Sequence, residues 1–340
     1  MSHGKLHANI PIFIPHLGCP NACVFCDQRA ISGQRTYDPN AVRHRIEEAL
    51  STLDGCTHKE IAFFGGSFTG IDRGEMIALL ELAQSYVRDG AVESIRLSTR
   101  PDYIDEEILD ILSRYAVRTV ELGLQSMDDR VLAAARRGHD SETAARSCRL
   151  IKQYGFSLVG QMMIGLPLAD GASERMTASR IAELGADAAR VYPTVVFRGT
   201  ELCRMAERGE YQPLKEDEMI GRTADVLEIL ERASVPVIRV GLCATETLSS
   251  PAAVFGGANQ SAVGDLVLGE IFYRRMRECL RQANAVGEAT FLVPQGSASR
   301  AAGQRRKNTA RLCREFDLRR IRILENTALK GYQIKLDDKF

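Results

Sequence analysis

The stretch Cys19-Pro20-Asn21-Ala22-Cys23-Val24-Phe25-Cys26 places three cysteines at a C-x₃-C-x₂-C spacing. Three thiolates at this spacing can hold three irons of a [4Fe–4S] cube and leave the fourth iron open to another ligand. A structural zinc ion usually takes four protein ligands, often from two C-x₂-C pairs, and no second pair follows here. Zinc stays as the alternative: His16 could serve as a fourth ligand, but it lies only three residues before Cys19.

The cysteines follow the first of seven short apolar segments that alternate with amphipathic helices. We predict strands at residues 10–16, 60–66, 94–100, 118–124, 157–165, 189–196 and 235–242. We predict helices after Asp38, at 76–87, after Asp105, and at 141–154, 175–184 and 217–232. This alternation indicates βαβ units and a parallel sheet, which right-handed crossovers curl into a partial (β/α)6 barrel of the TIM type, an α/β fold. Chemistry in such barrels lies at the carboxyl ends of the strands, which is where the cysteines fall.

The alternation ends after Thr245, where Leu248-Ser249-Ser250-Pro251 and the pair Gly256-Gly257 interrupt it. We therefore predict a domain boundary near residue 246, between a barrel at residues 1–245 and a small, basic α/β extension at residues 246–340. In the extension we predict a helix at 262–283, a strand at 290–293, a basic helix at 300–316, and a final hairpin of residues 318–324 and 332–336.

The composition is typical of a globular protein. The 340 residues carry no formal net charge and are 45% hydrophobic and 26% charged, so no overall field attracts a nucleic acid or a membrane. We expect no signal peptide, and the sequence contains no apolar run long enough to cross a bilayer. The cysteines outside the motif are scattered, which fits a reducing compartment and argues against a second cluster. We expect a cytoplasmic, oxygen-sensitive protein.

Polar residues and glycines stand where the predicted strands end. Gly65, Gly66 and Ser67 lie at the end of the second strand, and glycines let a backbone approach a ligand closely. Because side chains alternate along a strand, Glu121 and Gln125 share one face of the fourth strand. Further polar positions near strand ends are Ser98, Gln161, Arg190, Tyr192, Arg239 and Cys243. These side chains suit a barrel mouth that holds a polar ligand.

Taken in order, these segments resemble the radical S-adenosylmethionine (SAM) superfamily. Within it they are similar to the branch that groups the radical-SAM half of the Elongator catalytic subunit with the oxygen-independent coproporphyrinogen III oxidases. The likeness covers roughly residues 8 to 245. It implies an enzyme in which SAM chelates the open iron of a [4Fe–4S] cluster and is cleaved reductively. The resulting 5′-deoxyadenosyl radical abstracts hydrogen from a substrate, and an electron donor such as flavodoxin or ferredoxin supplies the electron.

The resemblance also implies roles for individual residues. Three cysteines bind the cluster: Cys19, Cys23 and Cys26. Eight residues lie around SAM: Phe25, Gly65, Gly66, Ser67, Ser98, Gln125, Arg137 and Gln161. Ser98 and Gln161 stand where the porphyrin oxidases carry acidic side chains, so the ribose contacts differ from those of these relatives. Arg136 is the alternative to Arg137.

The resemblance leaves the substrate open. Elongator-type proteins carry an acetyltransferase domain after the barrel, for which an extension of roughly 95 residues is too short. Phe13 and Asp27 replace a tyrosine and an extra cysteine of the porphyrin oxidases. Residues 300–340 contain twelve Lys and Arg against five Asp and Glu, an excess that could neutralise RNA phosphates. We favour RNA, and tRNA in particular, over a small anionic metabolite or a peptide; the third interpretation is a non-enzymatic RNA-binding protein with a structural metal.

Four residues are our catalytic candidates on the substrate side: Glu121, Tyr192, Arg239 and Cys243. Arg190 stands beside them in the predicted sheet and is a further substrate-facing candidate. The alternative for all of them is a polar network inside the barrel, in which Arg239 would pair with Glu121.

Overall fold

The computed structural model describes residues 7–14, 19, 23–27, 38–242, 250–260, 262–283 and 287–337. Within them the barrel region contains the strands β1 (His7–Phe13), β2 (His58–Phe64), β3 (Ser94–Thr99), β4 (Val117–Gln125), β5 (Ser157–Ile164), β6 (Ala188–Pro193), β7 (Val195–Phe197), β8 (Val237–Val240) and β9 (Val254–Gly257). Seven strands form one parallel sheet in the order β1-β2-β3-β4-β5-β6-β8, and β7 pairs antiparallel with β9. Because neighbouring strands of this sheet run parallel, each connection is a crossover and the carboxyl ends of the strands meet at one edge. The predicted partial α/β barrel is confirmed, with β1 and β8 as its open edges.

Helices cover the outer face of the sheet. They are α1 (Pro39–Ser51), α2 (Arg73–Arg88), α3 (Glu106–Leu112), α4 (Asp129–Ala134), α5 (Ser141–Gln153), α6 (Gly171–Glu183), α7 (Glu201–Glu207) and α8 (Glu216–Arg232). Six of them begin after an aspartate whose carboxylate accepts a backbone N–H of the first turn: Asp38, Asp72, Asp105, Asp128, Asp140 and Asp170. Such a cap bonds an N–H that the helix itself leaves unpaired and stabilises the helix by about 1 kcal/mol. The predicted cap at Asp105 is confirmed, whereas α2 and α6 begin earlier than predicted because Asp72 and Asp170 cap them.

The two faces of the sheet differ in polarity. On the outer face, apolar side chains such as Ile61, Phe63 and Leu97 are buried in one core with the helices. Each such burial stabilises the fold by about 1.5–3 kcal/mol. The alternate positions of the same strands, among them Glu60 and Glu121, face the inside of the barrel. One strand therefore supplies both the hydrophobic core and a polar interior.

The C-terminal region differs in two ways from the prediction. Its elements are α9 (Val263–Ala283), β10 (Gly287–Pro294), α10 (Ala298–Ala302), α11 (Lys307–Glu315), β11 (Leu318–Asn326) and β12 (Lys335–Leu336). The predicted final hairpin is wrong: β11 pairs in parallel with β10, and β12 pairs antiparallel with the other edge of β10. Helices α10 and α11 form the crossover from β10 to β11, and a crossover connection gives a parallel pair. The predicted single basic helix is also wrong, because Gly303, Arg305 and Arg306 adopt positive φ angles of 76°, 50° and 61° and divide it in two.

Two clusters of buried side chains follow one another along α9. The core of the barrel reaches Ile271, and a second core begins at Phe272 and includes Phe291 of β10 and Leu312 of α11. The predicted boundary near residue 246 lies outside the described residues, so the division into residues 1–245 and 246–340 stays a prediction. In the part of the chain that the structure describes, no helix is both long and apolar enough to cross a membrane.

Candidate functional site

The cysteine loop is fixed at the carboxyl edge of the sheet by Val24. Its N–H donates to the carbonyl of Ala135 at 3.2 Å, and its own carbonyl accepts the N–H of Leu202 at 2.7 Å. The side chain of Val24 is buried in a small core with Leu166 and Val196. One apolar residue between the second and third cysteines thus ties the loop to α4, to α7 and to the segment after β5.

Two buried arginines lie against the thiols of this loop. The Nη1 of Arg100 lies 3.8 Å from the Sγ of Cys19 and 3.9 Å from the Sγ of Cys23. The Nη1 of Arg137 lies 3.3 Å from the Sγ of Cys23, and its Nη2 donates to the carbonyl of Gly123 at 2.6 Å. Burial would lower the pKa of Arg100, but the hydrogen bonds and charge of Asp102 outweigh it and hold the pKa above its usual value. Both guanidinium groups therefore bring positive charge to the thiols.

The donor set fits an iron–sulfur cluster. Cys19 and Cys23 share one guanidinium, so their thiols lie close together, and Cys26 is joined to Cys23 by a backbone hydrogen bond of 3.1 Å. Positive charge beside two thiols suits a group that carries negative charge. Among the described residues, no three His, Cys, Asp or Glu side chains are assembled into a finished metal-ligand set. Residues 15–18, which include the alternative ligand His16, and residues 20–22 lie outside the described part of the loop.

The glycine loop after β2 packs against the end of β1. Gly65 has a φ of 101°, and a Cβ at this position would lie 3.4 Å from the backbone nitrogen of Ile14. This left-handed conformation and the close approach both favour glycine. Ser67 is buried and precedes a short 3₁₀ turn at Phe68–Gly70. The structure thus brings the Gly65–Gly66–Ser67 turn beside the strand that leads into the cysteine loop.

Gln125 ends β4 in an unusual backbone conformation. Its φ is 66°, and the pairing of β4 with β5 shifts register between Gly123 and Gln125. A Cβ on Gly123 would lie 2.9 Å from the Nε2 of Gln125, so a larger residue here would displace that amide. The Oε1 of Gln125 is buried and has no hydrogen-bond partner among the described residues. Gly123, Gln125, Arg137 and Cys23 therefore converge on one place at the mouth of the barrel.

Glu121 is the centre of a polar network inside the barrel. Its side chain has 0% exposure, and its carboxylate contacts Arg96 and Arg190 at 2.9 Å each. Gln161 donates to Glu121 at 2.8 Å and reaches the Oγ of Ser98 at 3.5 Å. The Nη2 of Arg190 makes the hydrogen bond to the carboxylate, whereas its Nε lies within ion-pair distance but is poorly aligned for one. Arg190, rather than the predicted Arg239, is thus the partner of Glu121.

The network continues along neighbouring strands. Arg96 also contacts Glu60 at 2.9 Å, and Glu60 accepts hydrogen bonds from Ser94 at 2.7 Å and from His7 at 2.8 Å. Burial would lower the pKa of Arg190, but the charge of Glu121 outweighs it and raises that pKa. Such a chain of paired charges keeps the barrel interior polar without leaving a buried charge alone.

Tyr192 and Arg239 complete this side of the barrel. Tyr192 lies on β6 with Arg190. Arg239 of β8 stands opposite Arg190 in the register of the two strands. Burial raises the pKa of Tyr192, so its phenol is neutral at physiological pH. Among the described residues Arg239 forms no ion pair. Cys243, the remaining substrate-side candidate, lies outside the described residues.

The segment after β5 is held by a buried carboxylate. Glu174 of α6 accepts the N–H of Gly165 at 2.7 Å, and the carbonyl of Gly165 accepts the hydroxyl of Tyr211 at 2.7 Å. Burial raises the pKa of Glu174 to about 7, although Arg222 lies 3.6 Å from its Oε1. These contacts fix the segment whose Leu166 packs on Val24.

Sequence reasoning missed the set of residues behind the cysteines. Arg100, Asp102 and His139 are brought together there, with 3.7 Å between the Nδ1 of His139 and the Oδ1 of Asp102. Burial, together with the charge of Arg137, lowers the pKa of His139 to about 4, so its ring is neutral. The only sequence signal was polarity at the end of a predicted strand, and this does not specify which side chain reaches the thiols.

Two family models match the chain. Residues 13–174 match the Radical SAM superfamily, and residues 186–271 match the Radical_SAM C-terminal domain. An uncharacterized protein of Methanocaldococcus jannaschii is 30% identical over 65% of this chain and 71% of its own length. The chain therefore belongs to the radical SAM superfamily, whose members are enzymes.

Relatives on the Elongator side confirm the resemblance found in the sequence. The tRNA uridine(34) acetyltransferase of Methanocaldococcus jannaschii is 30% identical over 54% of this chain and 38% of its own length. Elongator complex protein 3 of Schizosaccharomyces pombe is 27% identical over 64% of this chain and 47% of its own length. The chain thus spans less than half of either relative.

Solved structures share the fold. The Elp3 structure of the archaeon Methanocaldococcus infernus gives a TM-score of 0.62 at 22% identity and covers 81% of this chain and 63% of that chain. Streptococcus suis SuiB bound to S-adenosylmethionine gives a TM-score of 0.51 at 13% identity, over 73% of this chain and 52% of that chain. At these identities the likeness is one of fold alone.

Proposed function

We propose that this enzyme binds SAM at a [4Fe–4S] cluster held by Cys19, Cys23 and Cys26, and removes hydrogen from a substrate inside the barrel. When bound, the cluster supplies one electron that cleaves SAM to methionine and a 5′-deoxyadenosyl radical. The protein contributes by binding, orienting and shielding these groups.

The observation that carries the proposal is the buried Oε1 of Gln125, which has no hydrogen-bond partner among the described residues. Leaving such an acceptor unpaired costs about 1–3 kcal/mol, so the site calls for a donor. A ribose hydroxyl of SAM is such a donor, and Cys23 and Arg137 lie beside it. The other SAM contacts in the proposal are the backbone of Gly65 and Gly66, and the side chains of Phe25, Ser67, Ser98, Arg137 and Gln161.

On the substrate side, the proposal assigns Glu121, Tyr192, Arg239 and Cys243. Glu121 orients Arg190 and Gln161 through its two carboxylate oxygens. The neutral phenol of Tyr192 can donate a hydrogen bond, and Arg239 offers a half-buried positive charge with no ion pair among the described residues. These groups suit a polar substrate with a negatively charged part.

RNA is the substrate class that we favour. Five basic residues of the C-terminal region are exposed and form no ion pair among the described residues: Arg305, Arg306, Lys307, Arg319 and Arg320. On the barrel helices, Arg149 and Arg180 instead pair with nearby glutamates. One matched relative is a tRNA uridine(34) acetyltransferase. A small anionic metabolite is the second candidate, favoured by Arg239.

Anaerobic reconstitution with iron and sulfide tests the proposal. We expect a brown protein that, once reduced by dithionite or by flavodoxin or ferredoxin, converts SAM to 5′-deoxyadenosine measured by liquid chromatography. The Cys23→Ala variant should lose the cluster absorbance while its melting temperature, compared with the iron-free wild type, changes little. The Cys148→Ala variant is the matched control, because Cys148 is buried in the helical core and should leave the cluster intact. A protein that binds tRNA but forms no 5′-deoxyadenosine, or a Cys23→Ala variant with full cluster absorbance, would contradict the proposal.

A further inference from the structure

We propose that Arg100 is a positioning residue of the cysteine site, whose guanidinium stabilises the thiolates of Cys19 and Cys23 and raises the reduction potential of the cluster that they hold. The inference rests on the proposed function. It concerns a residue to which neither the sequence motifs nor the family resemblance gave a role.

One nitrogen of Arg100 lies near two of the thiols. The Nη1 of Arg100 lies 3.8 Å from the Sγ of Cys19 and 3.9 Å from the Sγ of Cys23, distances at which an N–H can donate to sulfur. Arg100 comes directly after β3 and is only 4% exposed. One buried donor therefore serves two of the three thiols, although they are separated by three residues in the sequence.

The other nitrogens of the Arg100 guanidinium are held by hydrogen bonds. Its Nε and Nη2 donate to the two carboxylate oxygens of Asp102 at 2.9 Å and 2.8 Å, and its Nη2 also donates to the carbonyl of Arg137. Asp102 itself lies in the 3₁₀ turn Pro101–Tyr103. These bonds occupy one edge of the guanidinium and leave Nη1 directed at the thiols. A lysine could not make all of these contacts at once, because it has one nitrogen instead of a planar fork.

The charged side chains behind the cysteine loop carry a net positive charge. Arg100 and Arg137 bring two positive charges to the thiols, and Asp102 brings one negative charge. The reduction potential of an iron–sulfur cluster depends on net charge and on hydrogen bonds to its sulfurs. Reduction adds a negative charge, so a fixed positive charge and N–H donors at the thiolates favour the reduced state. Burial strengthens this effect because the surroundings screen charge poorly.

The test compares three variants of the reconstituted full-length protein. Arg100→Met removes the charge and the donors, and Arg100→Lys keeps the charge. Arg149→Met is the control, because it removes one arginine that is exposed on α5 and pairs with Glu142. The measurements are the iron content per chain and the midpoint potential from a redox titration followed by electron paramagnetic resonance.

We expect Arg100→Met to lower the midpoint potential by at least about 59 mV, which corresponds to a tenfold change in the one-electron equilibrium constant. We expect Arg100→Lys to lie between Arg100→Met and the wild type, and Arg149→Met to match the wild type. Loss of iron from a folded Arg100→Met protein, with recovery in Arg100→Lys, also supports the role. Wild-type iron content and potential in Arg100→Met would overturn it. If Arg100→Met does not fold, an unchanged potential in Arg100→Lys overturns it.

Different results contradict the role of Arg100 and the proposed function. A wild-type protein that takes up no cluster, or that yields no 5′-deoxyadenosine, contradicts the proposed function before any variant is compared. A wild-type protein that cleaves SAM, beside an Arg100→Met variant of unchanged potential, contradicts the role of Arg100 alone.

Discussion

At the scale of single residues, the barrel interior depends on one carboxylate. Glu121 is fully buried and pairs with Arg96 and Arg190; without it Arg190 would lose its ion-pair partner, and Arg96 would keep Glu60 alone. Removing one member of a buried ion pair costs about 3–5 kcal/mol, because the remaining charge stays desolvated.

We predict that Glu121→Gln lowers the free energy of unfolding by about 3 kcal/mol. The measurement is urea unfolding followed by circular dichroism. Glu142→Gln is the control, because Glu142 forms an exposed ion pair with Arg149, and such pairs contribute about 0–1 kcal/mol. Equal losses in the two variants would mean that the network around Glu121 does not stabilise the barrel.

At the scale of elements, the turn after β2 packs against the end of β1. Gly65 combines a φ of 101° with a backbone nitrogen 3.4 Å from where a Cβ would lie, whereas Gly55 has a φ of 80° and nothing within 4 Å. The left-handed conformation alone costs a non-glycine residue roughly 1–2 kcal/mol. The two glycines therefore separate the effect of conformation from that of close approach.

We predict that Gly65→Ala is destabilised more than Gly55→Ala, and that it alone loses bound iron after reconstitution. The added methyl group would lie against the backbone of Ile14 and the ring of Phe13, so any shift of the strained turn is passed to the end of β1, which leads into the cysteine loop. Melting temperature and iron content per chain are the measurements. Similar iron content in both variants would show that the glycine turn does not affect iron binding at the cysteines.

The connection from β5 to α6 gives a pH dependence through Glu174. Its pKa of about 7 in the folded protein is above the ordinary value of 4.5. Between these values the folded protein keeps a proton that the unfolded chain has released, so stability falls as pH rises through this window and levels off above it. A shift of this size corresponds to at most about 3 kcal/mol.

We predict that Glu174→Gln removes this loss, because glutamine has no proton to release and its carbonyl can still accept the N–H of Gly165. The melting temperature of the variant relative to the wild type should rise between pH 5 and pH 7.5. Glu142→Gln, measured in parallel, should show no such trend. A difference that stays constant over this range would show that burial does not shift the pKa of Glu174.

The elements show which features a sequence can predict. Alternating apolar segments gave the parallel sheet, and Asp105 gave a helix start, because both depend on neighbours in the chain. The contact of Arg100 with Cys19 depends on how β1, β2 and β3 lie side by side, and no local pattern encodes it. The final hairpin failed for a similar reason, since the pairing of β11 was decided by the helical crossover before it.

At the scale of the whole molecule, zero net charge conceals a separation of charges. Inside the barrel and on its helices, most arginines are paired with carboxylates, as Arg96 is with Glu60 and Glu121. Five exposed basic residues that form no ion pair among the described residues lie instead around the start of α11 and on β11. A protein without net charge can therefore still present one basic surface to a polyanion.

We predict that the triple variant Arg305→Gln, Arg306→Gln, Lys307→Gln binds tRNA more weakly than the wild type and with a smaller dependence on salt. Each lost phosphate contact reduces the slope of log affinity against log salt by about 0.7–0.9. The matched control neutralises Arg88, Arg149 and Arg180, three arginines on barrel helices that pair with glutamates. The measurement is filter binding of tRNA from 50 to 200 mM salt, a range over which about six or more phosphate contacts change affinity strongly. Equal losses in both triple variants would indicate a general charge effect. Unchanged tRNA binding in the variant of residues 305–307 would favour a small anionic substrate at Arg239.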